Sequence, residues 1–179
     1  ESLFAHQKKM NLKEFNSLTD LYFHQAKKQS SQSIFLEWLN PKNKVKFTWG
    51  DTSSNIYKMA ATIKENIKDG DRCLLVSENR PEWLITDIAI MLANGITVPA
   101  YTTYTEKDYK YLIEDCEPSI IIVSNSILHD KLKNIIDEKS FIKKVITFDN
   151  IENIRDENKY LNFSSIIKKQ LKEIDKIEN

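Results

Sequence analysis

The chain has 179 residues, enough for one domain that buries roughly 70% of the surface its unfolded form exposes. Its 26 Lys and Arg residues balance 26 Asp and Glu residues, so no net field draws in nucleic acid or an anionic membrane, and a nucleic-acid partner is not expected. The longest apolar segment, residues 83–93, contains Thr86 and Asp87 and falls short of the ~20 residues a bilayer span requires; no transmembrane segment is expected and no signal peptide is visible.

In chain order, residues 16–29 read as a helix, with Leu18, Leu21, Tyr22 and Ala26 forming a stripe at three- to four-residue spacing. Two extended runs follow, 34–39 and 44–49, parted by Asn40-Pro41-Lys42-Asn43, which predicts a hairpin. Residues 51–68 read as a long helix with Ile56, Met59, Ala60, Ile63 and Ile67 on one face, closed by Gly70 in a left-handed cap.

From there short apolar runs alternate with helical patterns. Strands are predicted over 72–77, 96–99, 119–124 and 144–148, and helices over 81–94, 106–116 and 126–138. Thr105, with Asp108 three residues on, opens the second of these helices. Ile120, Ile121, Ile122 and Val123 leave their strand no polar face, so it must be covered on both sides. Residues 150–158 are polar and read as loop, and 163–178 offers Phe163, Ile166, Ile167, Leu171 and Ile174 as a modest helical stripe. The alternation argues for an α/β fold: a doubly wound, mostly parallel sheet flanked by helices, preceded by a short N-terminal hairpin.

Little in the chain is built for catalysis. Phosphate cradles need clustered glycines, and Gly50, Gly70 and Gly95 each stand alone. His6, His24 and His129 are far apart and at no ligand spacing, and Cys73 and Cys116 read as free thiols of a reducing cytoplasm. The turns after the strands remain, where ligands sit in open α/β sheets. Asn79, Arg80, Trp83, Tyr101 and Thr102 are the candidate pocket or subdomain-contact residues. A structural account stands beside that one: Asn79 or Arg80 as a cap, Pro81 at the first helical position, Trp83 in the core, and Tyr101 and Thr102 as packing and capping residues. Asp87, on a largely apolar helix, should have a partner if it is buried.

The motif order carries a resemblance. Phe47-Thr48-Trp49, Gly70-Asp71-Arg72, Ser77-Glu78-Asn79-Arg80-Pro81-Glu82-Trp83, Asp87-Ile88-Ala89, Gly95, Val98-Pro99-Ala100-Tyr101 and Tyr111-Leu112-Ile113-Glu114-Asp115 together resemble the N-terminal region of the adenylate-forming, AMP-binding enzymes. Within that superfamily the long-chain fatty acyl-CoA synthetases are most similar. The resemblance runs over roughly residues 18–148, and the segment from Tyr160 looks similar to the short strand and helix that follow in the family. It implies an N-terminal extension over residues 1–17 and, over 18–179, the first part of an AMP-binding domain that is incomplete at its C-terminus.

For the parent protein the resemblance implies a ligase that uses ATP and Mg2+ to adenylate a fatty acid and then passes the acyl group to CoA. The family's phosphate loop, magnesium-holding acid, ribose-binding acids and lid lysine all lie beyond this region. No catalytic, cofactor-binding or metal residue is therefore assigned here, and the isolated chain is expected neither to turn over nor to bind ATP, Mg2+ or CoA tightly. An aryl or medium-chain acid ligase of the same superfamily stays open, as does a non-catalytic α/β binding or dimerisation module acting as a homodimer. A flavodoxin-like nucleotide or flavin binder is the weaker alternative. The implied location is cytoplasmic, with peripheral contact at the membrane left open.

Overall fold

The computed structural model describes residues 15–39, 44–152, 154 and 156–169. Local capping chemistry sets most element boundaries. Helix α1 (Leu18–Lys28) begins where the Ser17 hydroxyl accepts from the Asp20 amide at 3.0 Å. Strands β1 (Ile34–Leu39) and β2 (Lys44–Thr48) pair antiparallel, with an irregularity between Ile34 and Leu36, so the predicted hairpin forms; its turn, residues 40–43, lies outside the described residues.

Helix α2 (Trp49–Lys64) opens on a reciprocal capping box in which the Thr48 hydroxyl accepts from the Asp51 amide at 3.0 Å while the Asp51 carboxylate accepts from Thr48. It starts two residues before the predicted 51 and stops before the predicted 68. The Asn66 amide turns back to the Ile63 carbonyl, and its side chain donates to the Thr62 carbonyl, which tightens the chain out of the helix while Ile67 stays buried. Gly70 follows at φ +80°, the left-handed conformation expected of it.

The α/β region runs β3 (Arg72–Val76), α3 (Pro81–Leu92), β4 (Ile96–Ala100), α4 (Glu106–Cys116), β5 (Ile120–Val123), α5 (Ser126–Asp130), α6 (Lys133–Glu138) and β6 (Lys144–Thr147). A single 3-10 turn over Glu157–Lys159 leads into β7 (Tyr160–Asn162) and α7 (Phe163–Ile167). The helix predicted over 126–138 is thus two helices. The Lys131 and Leu132 amides reach carbonyls only three residues back, at Leu128 and His129, and this overwound turn breaks the ladder. Of the stripe predicted over 163–178, Phe163 and Ile166 are buried as α7 docks; Leu171 and Ile174 lie outside the described residues.

The five strands β4-β3-β5-β6-β7 form one parallel sheet in that order. Alternation along each strand feeds two clusters. Cys73, Leu75, Ile120, Ile122 and Ile146 face α2, α3 and α7, whereas Leu74, Val76, Ile121, Val123 and Val145 face α4, α5 and α6. Both faces are covered, as the all-apolar β5 requires.

Asp87 is only half-buried and makes no ion pair with a described residue. Cys73 is buried in β3, where desolvation with the Asp71 charge pushes its thiol up to about 12, and Cys116 is half-buried at the end of α4; both are free. Among the described residues no helix is long and apolar enough to cross a membrane.

Candidate functional site

In an open parallel sheet, ligands sit at the carboxyl ends of strands near the point where the strand order reverses. Here the chain leaves β3 for β4 through α3 and then returns past β3 to β5 through α4, so the reversal lies between β3 and β5. Side chains of the β3 and β5 turns meet across that crevice. The Ser124 hydroxyl donates to the Glu78 carboxylate at 2.5 Å and accepts from the Asn125 side-chain amide at 3.1 Å.

An open space lies one strand over. Val76 sits opposite Ala100 in the parallel register, which sets the residues leaving β3 and those leaving β4 side by side. Residues 77–79, Trp83 on the first turn of α3 and residues 99–102 enclose a pocket of about 520 Å³. Pro81 at the first helical position pre-sets the entry into α3, and no side chain caps that end. Opposite Trp83, Tyr101 is 72% exposed and available to a partner.

The turn carrying Tyr101 and Thr102 is held from behind. The Tyr109 hydroxyl on α4 donates to the Tyr101 carbonyl at 2.7 Å, and the Lys131 ammonium donates to the Thr102 and Tyr104 carbonyls at 3.3 and 3.0 Å. Burial, with the neighbouring Tyr104, pushes the Tyr109 phenol up to about 12, so it keeps its proton as donor. Neither Lys131 nor Tyr109 was a candidate from sequence. Both lie inside predicted helices, and nothing local marks either.

Four of the five candidates therefore converge on the pocket: Asn79, Trp83, Tyr101 and Thr102. Arg80 does not line it. Its side chain is 6% exposed, forked onto Glu82 at 2.9 and 2.9 Å, bonded to Asp149 at 3.0 Å and 3.6 Å from Glu78, with its guanidinium 4.8 Å from the Trp38 ring and 5.5 Å from the Phe148 ring. Burial works against that charge, but the bonds and charges of Glu82 and Asp149 outweigh it and hold the guanidinium protonated. Arg80 occupies the helix-cap position without a side-chain cap bond, and its role here is to tie the hairpin, the β3–α3 turn and the exit of β6 together.

Glu78 is the one charged lining residue among the described residues, and its carboxylate already meets the Ser124 hydroxyl and the Arg80 guanidinium. The described residues hold no group of three or more His, Cys, Asp or Glu side chains that could bind a metal ion. Among the described residues no Lys or Arg side chain lines the pocket.

The family described as AMP-binding enzyme matches residues 22–175. The chain is 33% identical over 94 residues to the mitochondrial acyl-coenzyme A synthetase ACSM5 of Rattus norvegicus, an alignment covering 50% of this chain and 16% of that protein. It is 29% identical over 89 residues to the long-chain-fatty-acid–CoA ligase of Bacillus subtilis, covering 49% of this chain and 16% of that one. Among solved structures, the anthranilate CoA ligase AuaEII in complex with anthranoyl-AMP superposes with TM-score 0.73 at 16% identity, covering 88% of this chain and 29% of that chain. The likeness is one of fold, and in each case the match spans less than a third of the relative's length.

Proposed function

The chain belongs to the AMP-binding enzyme family, and we propose that residues 18–179, behind an extension over 1–17, form the first part of the adenylating domain of an ATP-dependent long-chain fatty acid–CoA ligase. The observation that carries this reading is the family match over residues 22–175, joined to the Bacillus subtilis relative's name. The reaction would proceed in two steps. The fatty acid carboxylate attacks the α-phosphorus of ATP and releases pyrophosphate, and the CoA thiolate then displaces AMP from the acyl-adenylate. Magnesium would offset the phosphate charge during the first step.

The part assigned to this chain is structural and positional. It supplies a rigid parallel sheet and, at the carboxyl ends of β3 and β4, a pocket presenting Asn79, Trp83, Tyr101 and Thr102 to the remainder of the enzyme. The anionic ends of ATP and CoA are assigned to later segments, where the family's phosphate loop lies.

The test is pyrophosphate exchange into ATP with the protein extended beyond residue 179. Palmitate should drive exchange and benzoate should not, while the 179-residue chain alone should give neither. Exchange driven by benzoate alone would move the assignment to an aryl acid ligase. Absence of exchange with any carboxylic acid would remove the ligase reading.

A further inference from the structure

The predicted helix over 126–138 fails at one place, and that place supplies a contact to the pocket. Lys131 sits in the overwound turn between α5 and α6, half-buried, and pairs with no carboxylate among the described residues. Its ammonium is instead spent on two main-chain carbonyls, Thr102 at 3.3 Å and Tyr104 at 3.0 Å, from 29 and 27 residues away in sequence. The Tyr109 hydroxyl takes the Tyr101 carbonyl of the same turn at 2.7 Å. Three of the four carbonyls in residues 101–104 are thereby drawn inward by side chains from the opposite helical layer.

A turn left to itself exchanges such carbonyls with water and samples several shapes. This one carries two of the pocket's walls, Tyr101 and Thr102, facing Trp83. At the junction of α5 and α6 the Lys131 ammonium reaches two of these carbonyls. Departures from local sequence rules of this kind are expected where a site is supported.

We infer that Lys131, assisted by Tyr109, is a positioning residue for the pocket: it fixes the Tyr101–Tyr104 turn against Trp83. The inference rests on the pocket assignment above and not on the ligase chemistry, so its test uses no substrate.

Amide hydrogen exchange of the full 179-residue chain reads it directly. The Tyr104 and Thr105 amides, bonded to the Tyr101 carbonyl at 3.3 Å and the Asp108 carboxylate at 2.9 Å, report on the turn. Lys131→Met should speed their exchange roughly tenfold or more while amides of β3 and β5 stay protected. Lys131→Arg, whose fork can also donate to two carbonyls, should restore most of that protection. The Trp83 indole N–H resonance should shift in Lys131→Met and return in Lys131→Arg, with the Trp49 indole unmoved. Tyr109→Phe, which removes a hydroxyl and keeps the ring, should give a smaller rise in the same two amides and serves alone if Lys131→Met does not fold. Unchanged exchange at Tyr104 and Thr105, equal loosening of β3 and β5, or an Arg variant no better than Met overturns the inference. Because none of these readouts needs turnover, pyrophosphate exchange can fail while they hold, and the reverse.

Discussion

Arg80 shows how much one side chain can join. Its guanidinium meets Glu82, Asp149 and Glu78 and lies against Trp38 and Phe148, while only 6% of the side chain reaches solvent. Glu82 is itself 13% exposed, so removing its partner leaves a carboxylate desolvated and unpaired. Breaking a buried pair from one side costs about 3–5 kcal/mol, whereas a surface pair costs under about 1. Arg80→Met should therefore lose about 3 kcal/mol, seen as a lower urea midpoint at unchanged m-value. Arg80→Lys keeps the charge but not the planar fork or the stacking, and should lose an intermediate amount, about 1–2 kcal/mol. Equal stability of all three proteins would mean that the cluster is solvated and carries no structural weight.

The joint between α3 and β4 illustrates the same reasoning at the scale of elements. Asn94 takes the left-handed conformation at φ 62°, and the Gly95 amide reaches back to the Ile90 carbonyl at 2.9 Å, closing α3. A Cβ at Gly95 would lie 2.9 Å from Ile67 Cδ1 and 3.0 Å from Ile90 Cγ2, so glycine is required there by packing. Gly70 is the opposite case: a Cβ there meets nothing within 4 Å, but φ +80° strains any L side chain. Gly95→Ala should lose about 1–3 kcal/mol and Gly70→Ala about 1. Ile67→Val deletes the δ-methyl in the way and should recover stability in the Gly95→Ala background alone, by more than about 0.5 kcal/mol. The features legible in the sequence were those whose causes are local: the Thr105–Asp108 capping box, Pro81 opening α3, the apolar run of β5. The features that escaped have distant causes. The break before α6 accompanies a lysine engaged 27 residues away, and the Arg80 bond to Asp149, 69 residues on, leaves no local trace that would separate its pocket reading from its contact reading. Asn79, Trp83, Tyr101 and Thr102 line one pocket because adjacent parallel strands in register bring their carboxyl ends together, a placement that strand order alone makes readable from sequence.

At the scale of the whole molecule, zero net charge hides a set of groups that the fold biases in different directions, and together they shape stability against pH. His129, 7% exposed and 2.8 Å from the Tyr160 hydroxyl, is held below its ordinary 6.5 first by burial and also by Lys133, with Asp130 and Asp137 pulling the other way. The unfolded chain therefore takes up a proton that the fold resists, so stability is full above about 6.5 and is lost as pH falls through the lowered folded value. Asp71 is held below 3.8 by the Lys68 amide, the Ser119 hydroxyl and Lys143, which gives a separate loss only as pH falls below that value. On the alkaline side, burial raises both Cys73 and Cys116 above 9.0, so the unfolded chain releases protons that the fold retains and stability falls again. The expected profile is a plateau between about 6.5 and 9.0 with a two-stage acid limb. Urea midpoints taken from pH 8 to 3 separate the stages. His129→Gln, which keeps a hydrogen-bonding group near Tyr160, should flatten the limb beginning at 6.5 and leave the lower one, while Asp71→Asn should leave the upper limb and reduce the lower one only in part, since Asp69, Asp108 and Glu114 are also held below their ordinary values. A wild-type midpoint constant from pH 7 to 5, or one whose fall survives His129→Gln unchanged, would place the acid sensitivity elsewhere and remove His129 from the account.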